Sequence, residues 1–163
     1  MLKPAILFKD EIQRKFAEIM YSEDAFYYNG YAHCNLPIKI EPDECLYQWA
    51  ICDNDEVVGY LSYRINMYTD SVDRFGLISF DKGNPVVVSD ALYQIQQLVK
   101  KHRRIEWQCV GGNPVSKVYD KLCERYNGYK ATMHEYVRDN DGNFRDSYIY
   151  EIFRKGVSKD DSE

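Results

Sequence analysis

The chain contains no apolar run approaching the roughly 18 residues that cross a bilayer. Its opening residues, Met1 to Phe8, are followed too soon by Lys9, Asp10 and Glu11 to read as a signal peptide. No membrane partner is expected, and a cytoplasmic location is. An excess of positive charge is also lacking: 21 Lys and Arg against 26 Asp and Glu leave a net charge of −5, the wrong sign for a general nucleic-acid binder. There is no C-x-x-C. The cysteines Cys34, Cys45, Cys52, Cys109 and Cys123 are odd in number, which argues against a disulfide framework or a thiolate zinc site and for reduced, mostly buried thiols. The histidines His33, His102 and His134 form no H-E-x-x-H and no ligand cluster, so no metal is expected. Linkers and low-complexity tracts are missing too. The 163 residues therefore read as a single domain, 1–157, followed by an acidic tail, 158–163, expected to be disordered.

Aromatic side chains are abundant, with 15 tyrosines, and they point to a folded, strand-containing protein. From Lys9 to Met20, Ile12, Phe16 and Ile19 recur at helical spacing. Ser22, Glu23 and Asp24 are placed to open a weaker second helix, with Phe26, Tyr27, Tyr28 and Tyr31 packing one side and Gly30 weakening it. Leu36 to Glu44 reads as loop. Leu46–Cys52 and Val57–Ile65 are β-branched and aromatic, and Asp53-Asn54-Asp55 between them makes a hairpin turn. Phe75–Phe80 is another apolar strand, preceded by a polar stretch, Met67–Asp73, that reads as loop or frayed edge.

Ser89–Lys101 carries Ala91, Leu92, Ile95, Leu98 and Val99 on one stripe and ends in the basic run Lys100–Arg104, whose expected use is to complement the helix dipole. Ile105–Val110 is a strand and Pro114–Tyr126 a helix, closed by Asn127-Gly128. Tyr129–Arg138 and Phe144–Phe153 form a closing hairpin around Asp139–Asn143. Its edge makes a homodimer one expected partner arrangement.

Two strand-to-helix turns share a tetrapeptide, Gly83-Asn84-Pro85-Val86 and Gly112-Asn113-Pro114-Val115. In each, Asn caps and Pro presets the first helical dihedral; in the first, Ser89 is an alternative cap. A strand, helix, strand order makes the flanking strands parallel and opens their carboxyl ends beside helix N-termini, where anionic ligands are favoured.

This order resembles the GNAT superfamily of acyl-CoA-dependent N-acetyltransferases. Leu46–Ile65 is similar to that family's central hairpin, including Gly59 after two valines, and Ile105–Ala131 to its fifth strand, Asn-containing turn and Tyr-bearing helix. The resemblance covers Leu46 to Phe153. It implies an α/β (α+β) fold with a mixed, mostly antiparallel central sheet, a central parallel βαβ unit and flanking helices. It also implies direct transfer of an acetyl group from acetyl-CoA to a primary amine, on a small molecule or a protein, within a ternary complex.

By the same resemblance, the pantetheine arm pairs with the backbone of Ile78, Ser79 and Phe80, where the Phe75–Phe80 strand splays from the Ile105–Val110 strand, and with Asn113. The pyrophosphate lies on Asn84, Val86, Val87, Val88 and Ser89, with Lys82 beside them. Tyr119 protonates the leaving thiolate. Glu106 is the strand candidate for the general base, and Asp81 lies near the acyl end. The sequence departs from the family where it places Val87 and Ser89 at the two glycine positions of the pyrophosphate motif, and glycine there permits close backbone approach. A noncatalytic module that keeps the fold is the alternative; a different α/β binding domain, whose turns only cap, is another.

Overall fold

The computed structural model describes residues 1–28 and 38–154. Gly30, Tyr31, His33, Cys34 and the tail 158–163 lie outside the described residues. Seven strands form one sheet in the order β1-β2-β3-β4-β5-β7-β6: β1 (Leu2–Pro4), β2 (Leu46–Asp53), β3 (Glu56–Asn66), β4 (Ser71–Ser79), β5 (Arg104–Val110), β6 (Tyr129–Arg138) and β7 (Phe144–Phe153). Every pairing is antiparallel except β4 with β5. Among the described residues, three helices cover it: α1 (Lys9–Met20), α2 (Pro85–Lys101) and α3 (Ser116–Arg125). The fold is the expected mixed sheet with a central parallel βαβ unit.

Each sheet face has its own core. The α1 stripe buries Ile12 and Phe16 against Ala50, Cys52, Tyr60 and Ile78. On the other face, Ala91, Ile95 and Leu98 of α2 and Tyr119 and Leu122 of α3 pack on Leu61, Phe75, Trp107 and Tyr150. Gly59 lies where α2 meets the sheet. A Cβ there would stand 2.9 Å from the Ile78 carbonyl and 3.3 Å from Val87 Cγ2, so the missing side chain lets β3, β4 and α2 approach closely.

Several sequence expectations are corrected. β4 begins at Ser71, because Ser71 and Val72 pair with β3 on one side and β5 on the other; a central place in the sheet outweighs their polar neighbourhood. Phe80 falls just beyond its end. α2 begins at Pro85 with Asn84 as its cap, accepting the Val86 N–H at 2.9 Å, so Ser89 caps nothing. α3 begins at Ser116; Pro114 and Val115 form a turn before it, in which Asn113 Oδ1 accepts the Val115 N–H at 3.1 Å. Among the described residues of the second expected helix, only a 3-10 turn, Ala25–Tyr28, forms. The basic run is divided. Lys100 and Lys101 occupy the last turn of α2, His102 Nδ1 bonds Asp70 at 2.9 Å, and Arg104 joins β5 and pairs with Glu106 and Glu151.

Candidate active site

The parallel pair β4 and β5 parts company. Ser71 pairs with Arg104, Val72 with Ile105 and Phe75 with Trp107, and there the pairing stops. Beyond this point β4 continues against β3 through Ser79, and β5 continues against β7 through Val110. The two strands therefore leave a cleft between Gly76–Ser79 and Gln108–Val110, with backbone groups on its walls that have no partner strand.

Alternation along β4 decides which groups face it. The Phe80 N–H donates to Val58 O on β3 at 2.9 Å, so the even-numbered amides of this stretch point to β3 and those of Leu77 and Ser79 point into the cleft. Of the three residues expected to pair with a pantetheine arm, Ser79 alone presents its N–H there. Ile78 is wholly buried on the α1 side, and the Phe80 N–H is engaged.

The segment before the strands straddles the opening. Tyr27 donates its hydroxyl to Gly112 O at 3.2 Å, at the β5 side. Tyr28 meets Ser79 at the β4 side: burial raises its phenol pKa, opposed by a hydrogen bond from the Ser79 backbone, with Asp24 adding to the rise. The turn is itself moored. Asn140 donates to Glu23 O at 2.7 Å, and the Arg145 guanidinium lies 5.5 Å from the Phe26 ring. A cavity of about 380 Å³ opens beside it, lined by Glu18, Asp24, Tyr28, Ser79, Phe80 and Lys82, among others.

Tyr119, on α3, is buried and sits edge-on to Trp107 and Tyr150, with ring centroids 5.5 and 5.8 Å away. Trp107 is the last residue of β5 paired with β4, so Tyr119 stands behind the point where the strands separate. Its neighbour Asp120 accepts from Tyr150 at 2.8 Å and from Lys130 at 2.7 Å. Burial pushes Asp120 up, but these two donors outweigh it and its carboxyl titrates below the ordinary value. Burial, with Asp120 adding, raises the Cys109 thiol to about 12. That thiol is therefore protonated and unreactive at neutral pH.

Glu106 stands apart. It lies in the still-paired part of β5, on the face opposite Trp107, and shares Arg104 with Glu151. Lys82 turns its ammonium to Asp24. Asp81 is tied to the start of α2, where its carboxylate accepts from Asn84 Nδ2 at 2.9 Å. Asn113 spends its Oδ1 on the turn, and its Nδ2 has no partner among the described residues. The structure thus gathers Ser79, Asn113 and Tyr119 around the cleft. It adds Asp24, expected from sequence at the start of a second helix, and Tyr27 and Tyr28, expected to pack one side of that helix; their partners, Lys82, Gly112 and Ser79, are remote in sequence. Among the described residues, no three His, Cys, Asp or Glu side chains gather to hold a metal ion, and no helix is long and apolar enough to cross a membrane.

A thioester with a pantetheine arm fits this cleft in part. An extended chain of amides can pair with Leu77 as a further strand would, and reaches the Ser79 N–H only by displacing the Tyr28 hydroxyl. The diphosphate of a coenzyme A nucleotide meets a less suitable surface at α2, where both Asp53 and Asp81 accept from Asn84.

No family model and no curated protein sequence matches the chain. Solved structures of acetyltransferases do share its fold. A spermidine N-acetyltransferase chimera from Vibrio cholerae SpeG and hSSAT superposes with a TM-score of 0.61 at 15% identity, covering 94% of this chain and 96% of that one. A GCN5-related N-acetyltransferase from Brucella melitensis gives 0.56 at 17% identity, covering 94% and 75%. The ribosomal-protein-S18-alanine N-acetyltransferase from Escherichia coli gives 0.56 at 15%, covering 72% and 75%. The chain has the fold of the GNAT acetyltransferases.

Proposed function

We propose that the chain is an N-acyltransferase that moves an acyl group, acetyl in the simplest case, from a coenzyme A-type thioester to an amine. The observation that carries this reading is the parting of β4 and β5, which leaves the Leu77 amide facing the cleft without a partner strand and the Ser79 amide on the Tyr28 hydroxyl at its edge. The thioester supplies the acyl group: the amine nitrogen bonds to the carbonyl carbon as the C–S bond breaks, the sulfur takes one proton and solvent takes the proton lost by the amine.

The chain's own residues orient and stabilise. The Leu77 N–H points where a carbonyl oxygen gains negative charge, and the Ser79 N–H joins it once a ligand displaces the Tyr28 hydroxyl; fixed donors act most strongly in a site that excludes water. Tyr119, behind the vertex, is the proton donor for sulfur. The Asn113 Nδ2 steadies the arm. Amine approaches from the α1 side, through the cavity lined by Glu18, Asp24 and Tyr28, where an ammonium group exchanges with Arg14 and Lys82 for the two carboxylates. Glu106, committed to Arg104, keeps a structural role, and an ordered water takes the amine's proton.

Calorimetric titration with acetyl-CoA, followed by release of free thiol in the presence of a panel of primary amines, tests the reading. Binding at micromolar affinity or tighter, about −8 kcal/mol, with amine-dependent thiol release is expected. Binding without thiol release for any amine points to the noncatalytic module. Absence of both acetyl-CoA binding and turnover overturns the assignment.

A further inference from the structure

The start of α2 lies beside the end of β4, yet its capacity for an anion is already spent. A helix begins with four N–H groups that its own carbonyls cannot satisfy. Here the Asn84 N–H donates to Asp81 O at 3.3 Å, Pro85 has none, and the Val86 N–H goes to Asn84 Oδ1. Only the Val87 N–H is left without a partner among the described residues. The Val87 side chain is 2% exposed and packs toward Gly59, which anchors this turn in the core.

The charge is also of the wrong sign. Asn84 Nδ2 donates to the Asp53 carboxylate at 3.3 Å and to the Asp81 carboxylate at 2.9 Å, so two negative groups flank the first turn. The nearby cations face elsewhere: Lys82 is on Asp24, and the Met1 ammonium is 2.6 Å from Asp90. A diphosphate set on this turn would meet two carboxylates with one free amide to offset them.

We propose that the cleft holds its acyl donor by the pantetheine thioester arm alone, and that Asp53 and Asp81 deny binding to the nucleoside diphosphate. The donor class that fits is an acyl-pantetheine thioester, with or without a nucleotide. This rests on the acyl-transfer reading above and specifies which part of the donor that site recognises.

The test is calorimetry on the full chain with S-acetylpantetheine, acetyl-CoA and ADP, in the unaltered protein and in the double variant Asp53→Asn/Asp81→Asn. The dissociation constants of the two thioesters should agree within about fivefold, and ADP should give no heat at about 1 mM. The double variant should bind acetyl-CoA at least about fivefold more tightly, with S-acetylpantetheine unchanged, because only the nucleotide meets the two charges. Acetyl-CoA binding more than about fivefold tighter than S-acetylpantetheine in the unaltered protein, or measurable ADP binding, overturns this inference and leaves the acyl-transfer reading standing. Equal acetyl-CoA affinity in a folded double variant overturns the role of the carboxylates. No binding of either thioester overturns both readings. If the double variant does not fold, the comparison of the two thioesters on the unaltered protein still decides.

Discussion

Asn84 and Asn113 hold equivalent places in two copies of one tetrapeptide, and their surroundings give them different chemistry. Both accept an N–H two residues on. Asn84 also spends its donor end on Asp53 and Asp81, which leaves the amide nothing to offer a ligand, whereas Asn113 keeps its Nδ2. Nothing within the tetrapeptide announces this, since Asp53 reaches Asn84 from 31 residues away. Tyr119 and Glu106 diverge in the same manner. Tyr119→Phe should lower turnover at least about tenfold, as loss of a general acid does, while acetyl-CoA affinity stays within about twofold; unchanged turnover removes the assignment. Glu106→Gln should leave turnover within about twofold and cost about 0.5–1 kcal/mol, the range of a partly exposed ion pair, seen as a fall in Tm of roughly 1–4 °C. A large fall in turnover at unchanged Tm would return Glu106 to the role of base.

At the scale of elements, the amphipathic stripe of α1 and the hairpin of β2 and β3 were legible, because periodicity in sequence is periodicity on a face. The start of β4 was not. Asp73 and Arg74 interrupt it, and Arg74 takes φ 52° within a register shift of the sheet, so local polarity hid a strand held on both sides by neighbours. The exit from α3 was readable in outline, and its division of labour was not. Asn127 takes the left-handed position at φ 48°, and the Gly128 N–H closes on Cys123 O at 2.7 Å. Gly128 is needed for room: a Cβ would stand 2.5 Å from Glu151 O and 2.8 Å from Cys123 Sγ. Gly128→Ala should cost about 3 kcal/mol, the upper range of overpacking, and lower Tm by roughly 6–12 °C in thermal denaturation; a fall under about 2 °C would show that α3 and β7 can separate without loss.

Across the whole molecule, the ionisable groups bracket the pH range in which the fold holds. Asp70, lowered by the His102 hydrogen bond, and Asp120 and Asp139, where ion pairs and hydrogen bonds outweigh burial, all titrate below the ordinary carboxylate value. Their contribution is present above the unfolded value of 3.8 and is lost as pH falls through the folded values. Burial raises Cys109, Cys123, Tyr63 and Tyr150, so the stability from their protonated forms is complete below the unfolded thiol value of 9.0 and declines as pH rises beyond it. Thermal denaturation should show a plateau between about pH 5 and 8.5 with a fall on each side; a Tm still rising at pH 10 would contradict the burial of these thiols and phenols. The order of elements from β2 onward, the capped turn before α2 and the parallel unit followed from the sequence, because each rests on neighbours within a few residues; β1 and the uncapped start of α3 did not. The parting of β4 from β5 was implied only by the family resemblance, and where it falls, the tyrosines set across it and the carboxylates gathered at α2 were decided by tertiary structure. Each depends on where a strand from a distant part of the chain stops pairing, and that is settled by packing on both faces of the sheet.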